Sequence, residues 1–130
     1  MCIRDSPHGL GHMLGLDVHD MEGLGEDLVG YDNNSDRSDQ FGLAYLRLAK
    51  DLQVGFVLTV EPGIYFIPSL IDQWEAENKY RNFINYDALK TFKGFGGIRI
   101  EDNIVITEDG YRLLGPSIPS TIDDIEAVMA

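Results

Sequence analysis

Every histidine of this 130-residue chain falls within twelve positions: His8, His12 and His19. They sit in a glycine-rich run at 7–20, PHGLGHMLGLDVHD, beside Asp17 and Asp20. A single histidine is ordinarily structural. Three in a segment where glycine lets the backbone approach a bound group are harder to explain that way. Imidazole and carboxylate are the usual ligands of zinc, manganese, iron and cobalt. Two more carboxylates lie in β-rich apolar runs: Glu61 closes FVLTVE just before Pro62-Gly63, and Glu101 lies within GIRIEDNIVIT. A carboxylate shielded from water must be protonated, paired with a cation or bound to metal. His12 with these two glutamates would form part of a metal site. It would not complete a two-metal site, which needs more bridging oxygens. Taken singly, each has a plainer explanation. Glu61 could be an exposed strand end, and Arg99 with Glu101 a solvated ion pair.

The elements that must position these residues follow from pattern. Residues 7–20 read as a glycine-rich loop running into a short strand. His8 and His12 have helical spacing, but three glycines each disfavour a helix by about 1 kcal/mol relative to alanine. Residues 17–39 carry eight acids and one base, Arg37, and read as a long solvated loop. Within it Asp32-x-Asn34-x-Asp36 begins a calcium-loop pattern, but Arg37 and Leu43 stand where that pattern needs Gly and Glu. Residues 41–53 are compatible with helix or strand. Residues 56–61 form a strand that 64–67 resume, and 70–91 hold one or two helices. Residues 97–107 form one strand. Alternation places Ile98, Ile100, Ile104 and Ile106 on one face, and Arg99 and Glu101 side by side on the other. Glu108-Asp109-Gly110 is a hairpin turn returning through 111–114. Thr121 or Ser120 caps a closing helix that ends at Met129.

Composition bounds the function. With 22 Asp+Glu against 10 Lys+Arg, the net charge is −12. That disfavours nucleic-acid partners, which need Lys and Arg against phosphates, and equally an anionic membrane face. No apolar run approaches the roughly 18 residues of a membrane span. The single Cys2 excludes an internal disulfide framework. Residues 1–6, MCIRDS, have neither the basic leader nor the apolar stretch of a signal peptide. They are expected to be a non-native leader.

The ordered motifs PHGLGHMLGLDVHD, VLTVEPGIYF and GGIRIEDNIVIT resemble the C-terminal part of prolidases and aminopeptidases P. The likeness runs from Pro7 to about Met129. FGGIRIED and the closing TIDDIEAVM look more like prolidase, the Xaa-Pro dipeptidase. The resemblance implies an α/β (α+β) fold: the C-terminal part of the pita-bread metallopeptidase domain, a mainly antiparallel curved sheet with covering helices. Residues 7–130 would be that portion, with the upstream half and an N-terminal domain absent.

The same resemblance implies two divalent metals, manganese first with cobalt or zinc as alternatives. His12, Glu61 and Glu101 match three family ligands. Two Asp ligands belong upstream of this chain, and neither Asp17 nor Asp20 matches them. Glu61 would also shuttle a proton. His19 would contact substrate and stabilise the tetrahedral oxyanion, and His8 would be a second substrate-side histidine. Arg99 matches an active-site arginine. Arg47 matches the arginine that holds the free carboxylate of a dipeptide, a role suited to a planar fork.

The implied reaction is metal-assisted hydrolysis of Xaa-Pro dipeptides, with proline after the scissile bond. Hydrolysis of longer Xaa-Pro peptides is the alternative within the same chemistry. A non-catalytic pita-bread binding module is the alternative outside it. A cytoplasmic location and a homodimeric parent are further expectations. Without metal, two inward carboxylates, Glu61 and Glu101, would weaken the isolated chain.

Overall fold

A computed structural model of the chain describes residues 8–32, 35–40 and 42–130. The leader expected at 1–6 lies outside the described residues, as does Asn34 of the calcium-like pattern. β-Branched and apolar side chains build β1 (Val57–Val60), β4 (Asp102–Thr107) and β5 (Gly110–Leu113). These form one antiparallel sheet in the order β1-β4-β5. Leu58 pairs with Ile104 across β1 and β4, and both are buried. The hairpin closes with Thr107 paired to Gly110, whose φ of 142° is open only to glycine. A second antiparallel sheet joins β2 (Gly63–Tyr65) to β3 (Gly97–Arg99).

The chain divides into two units, Met1–Pro62 with Ile100–Ala130, and Gly63–Arg99. The second unit contains β2, β3, α2 (Pro68–Ala76) and α3 (Tyr86–Lys90). Pro68 at the first helical position starts α2, where its missing N–H costs nothing. The Asn85 side chain caps α3 by accepting from the Ala88 N–H at 3.1 Å. Ile71 and Tyr86 are this unit's buried large side chains. In the first unit, α4 (Ile122–Met129) is capped by Thr121, whose hydroxyl accepts from the Asp124 N–H at 3.2 Å. No helix among the described residues is long and apolar enough to cross a membrane.

Three expectations need correction. Residues 97–107 are two strands in different sheets, because the chain leaves β3 at Ile100-Glu101 and enters β4 at Asp102. Arg99 and Glu101 therefore share no strand face. The run expected to resume at 64–67 does resume as a strand, β2 (Gly63–Tyr65), but in the second sheet rather than the first. Lastly, the acidic stretch is not simply solvated loop. It contains a 3-10 turn at Glu22–Leu24 and the short helix α1 (Glu26–Val29).

Two arginines staple this acidic stretch. Arg37 donates through Nε (2.8 Å) and Nη2 (2.6 Å) to Asp27, and through Nη1 to the Ala44 carbonyl at 2.9 Å. The Asp27 carboxylate holds the Arg37 pKa above its ordinary value. Arg47 contacts Glu22 and, at 3.9 Å, Glu26. Residues 42–50, open in the sequence between helix and strand, are neither. They are turns fastened by these bonds and by Ala49 N–H donating to the Gly30 carbonyl at 2.7 Å.

Candidate metal and peptide-binding site

The glycine-rich segment lies antiparallel along β1. Glu61 N–H donates to the Leu10 carbonyl at 2.7 Å, Thr59 N–H to the His12 carbonyl at 3.0 Å, and Leu14 N–H to the Val57 carbonyl at 3.0 Å. This register sets His12 opposite Thr59. Gly11 is required there, because a Cβ on it would lie 1.9 Å from the Thr59 carbonyl oxygen. Alternation along β1 puts Thr59 and Glu61 on one face and Leu58 on the other, in the core. His12, Thr59 and Glu61 are all buried.

Thr59 ties the other two together. Its hydroxyl accepts from the His12 N–H at 3.0 Å and donates to Glu61 Oε1 at 3.1 Å. Sequence reasoning missed Thr59, although its position two before Glu61 on a strand was a usable signal. Thr59→Val keeps the shape but leaves Glu61 without that donor and a buried N–H without that acceptor. Loss of such a supporting hydrogen bond lowers metal affinity by about 10–100-fold. In the protein extended to its relatives' length, metal titration of Thr59→Val against the parent should show that loss, with Thr59→Ser restoring most of it.

His12 Nδ1 stands 2.9 Å from the Met13 carbonyl, an acceptor only, so Nδ1 carries a proton and donates it there. Nε2, the other ring nitrogen, lies 3.3 Å from Glu61 Oε1. A proton shared as an imidazolium–carboxylate pair, or a metal cation between the two atoms, satisfies this contact. Two ligands each about 2.1 Å from one ion, at roughly 90–110°, stand about 3.0–3.4 Å apart. The observed separation fits that arrangement.

Glu101 is placed by register. Val60 pairs with Asp102, and Ile100 N–H donates to the Pro62 carbonyl at 3.2 Å. Between those two pairs, Glu61 and Glu101 face each other across the strands. Like charges directly opposite repel. Accordingly Glu61 is buried with His12, whereas the Glu101 side chain is exposed. The expectation of two inward carboxylates is corrected to one. Among the described residues, no three His, Cys, Asp or Glu side chains are grouped closely enough to hold a metal.

His19 and Arg47 form a second corner. The His19 ring meets the His12 ring edge-on, 4.4 Å between centroids. Arg47 Nη1 lies 2.9 Å from His19 Nδ1. Arginine only donates, so Nδ1 accepts and the neutral ring carries its proton on Nε2. The same Nη1 contacts the Glu22 carboxylate, a partner absent from the sequence reading. His8 is half-buried, with Nδ1 donating to the Gly9 carbonyl at 2.7 Å. Arg99 belongs to the other unit. There its Nε donates to the Tyr65 hydroxyl at 2.8 Å, and the Tyr65 ring covers Gly63 and Gly97, where a Cβ would strike it.

The sequence model of Peptidase M24, metallopeptidase family M24, matches residues 2–108. The chain belongs to this family. Members of M24 use divalent metals, in keeping with the donor set just described. The M24 chain is 49% identical to human Xaa-Pro dipeptidase over 124 residues, 95% of this chain and 24% of that protein. Among solved structures it is similar to proline aminopeptidase P II from Yersinia pestis. That match has 38% identity and a TM-score of 0.54, covering 94% of this chain and 20% of that one. A histidine-to-alanine variant of Escherichia coli aminopeptidase P matches at 36% identity and TM-score 0.54, covering 94% and 19%. The expected fold class, helices with antiparallel sheets of the pita-bread type, is borne out. The chain spans about a quarter of the length of the curated relatives it matches.

Proposed function

We propose that the chain is the C-terminal part of a two-metal peptidase that hydrolyses Xaa-Pro dipeptides. The observation that carries this reading is the buried His12–Glu61 pair, 3.3 Å apart, with Glu101 opposite in register. His12, Glu61 and Glu101 would hold the metals, manganese first, with two Asp ligands supplied upstream. Bound metal supplies polarisation of the scissile carbonyl and a more acidic water.

The chain's own residues do the rest. Glu61, oriented by Thr59, takes and returns a proton. His19 donates from Nε2–H to the oxygen that gains charge at the scissile carbonyl. Arg47, in contact with His19, holds the carboxylate of the proline residue. His8 and Arg99 are further substrate contacts. Tyr65 holds the Arg99 guanidinium. A cytoplasmic workplace and a homodimer complete the proposal.

The dipeptide preference is favoured by the 49% identity to a dipeptidase, and by Arg47 already gripping a carboxylate. In the protein extended to its relatives' length, Arg47→Lys should lower kcat/KM on an Xaa-Pro dipeptide by about 10–100-fold, since charged hydrogen bonds are lost. Activity on an Xaa-Pro amide should barely change. A wild-type preference for longer Xaa-Pro peptides would instead support the aminopeptidase reading. Near-zero metal after careful loading would support the non-catalytic module.

A further inference from the structure

We propose that Glu22 sets substrate specificity. It is an internal carboxylate that occupies the Arg47–His19 corner and competes there with the carboxylate of a peptide substrate. The ligand class follows from what the corner holds now. Arg47 Nη1 reaches both His19 Nδ1 and Glu22 Oε2, and a carboxylate is the group that completes this set. The Glu22 side chain is 19% exposed and that of Arg47 39%, so solvent screens the pair and an incoming carboxylate can displace it.

The backbone allows that exchange. Glu22 opens a 3-10 turn, Glu22–Leu24, in which no residue is buried. Met21 before it is left-handed at φ 60°, a costly conformation for a residue with a side chain, and Gly25 after it has φ 124°. The turn is thus held by its own backbone hydrogen bonds and by ion pairs rather than by a core, between two unusual backbone positions. When Glu22 leaves, Glu26, 3.9 Å from Arg47 Nε, still faces the guanidinium, so Arg47 keeps its orientation. The inference rests on the reading of Arg47 as the carboxylate clamp.

The test is titration of the metal-free protein, extended to its relatives' length, with glycyl-proline and with glycyl-prolinamide. Binding is followed by NMR of the His19 ring protons and the Arg47 side-chain N–H. Glu22→Gln should tighten glycyl-proline about tenfold, the scale of one charge-assisted contact, and leave the amide unchanged. Unchanged or weaker glycyl-proline binding in Glu22→Gln, where Arg47→Gln abolishes it, overturns the competition and leaves Arg47 as the clamp. In that case Glu22 orients Arg47 instead. If Arg47→Gln binds glycyl-proline as well as the parent does, or if the parent shows no preference over the amide, the clamp itself fails. The role of Glu22 then fails with it.

Discussion

Glu61→Gln, in the protein extended to its relatives' length, is expected to lower Xaa-Pro hydrolysis by at least about a thousandfold while leaving the fold intact. A loss of that size corresponds to roughly 4 kcal/mol of transition-state stabilisation, a magnitude consistent with losing a charged metal ligand. The fold should survive because glutamine has nearly the same shape. Its carbonyl oxygen can still accept from Thr59, whose hydroxyl now donates at 3.1 Å. That oxygen then takes the Oε1 position, which His12 Nε2 also faces at 3.3 Å, so the amide points away from His12.

The substitution also removes a charge buried at Glu61. The metal-free variant should therefore melt at the same temperature as the parent or slightly above it. The separating measurement is thermal melting with and without added manganese. The parent should be stabilised by mass action, by about 2.7 kcal/mol at a hundredfold excess over the dissociation constant. Glu61→Gln should show no such gain. If the variant still gains stability from manganese and still turns over, Glu61 is neither ligand nor proton shuttle.

Gly11→Ala is expected to destabilise the chain by roughly 3 kcal/mol and to part His12 from Glu61. The added Cβ would lie 1.9 Å from the Thr59 carbonyl oxygen and 2.9 Å from its carbon, both backbone atoms that cannot rotate away. The segment must then lift from β1. That lift strains three hydrogen bonds: Glu61 N–H to Leu10, Thr59 N–H to His12, and His12 N–H to the Thr59 hydroxyl. At about 1 kcal/mol each, their loss is a large share of the stability of a small domain. Urea unfolding compares it with Gly94→Ala, where nothing lies within 4 Å of the new Cβ. That control should stay within about 0.5 kcal/mol of the parent. Equal midpoints for the two variants would mean that the close approach at Gly11 is not needed.

Much of the local structure was legible because its signals are short-range. Asp-Gly marked the β4–β5 hairpin, Thr121 marked the start of α4, and the glycines in 7–20 ruled out a helix despite helical spacing of His8 and His12. Periodicity failed at 97–107. Isoleucine stands at 98, 100, 104 and 106, with Asp102 the one break on that face, yet the chain changes sheets at Ile100-Glu101. Side-chain alternation reports which face a residue occupies, and it is blind to which neighbour supplies the hydrogen bonds. The acidic stretch failed for a related reason. Charge composition shows an excess of acid but not that Arg37 and Arg47, 10 and 21–25 residues away, return to neutralise Asp27, Glu22 and Glu26.

The sequence by itself determined the family, the donor types, and the motif order that holds His12, Glu61 and Glu101, because these depend on residue identity and spacing alone. Only the tertiary structure decided which donors meet. It placed Thr59 between His12 and Glu61, left Glu101 exposed opposite the buried Glu61, moved Arg99 into a different strand and unit, and gave the Arg47 corner to Glu22. Each of those outcomes depends on strand register or on contacts between residues distant in the chain. Both arise from packing and from charge repulsion or attraction across space, which a one-dimensional pattern does not encode.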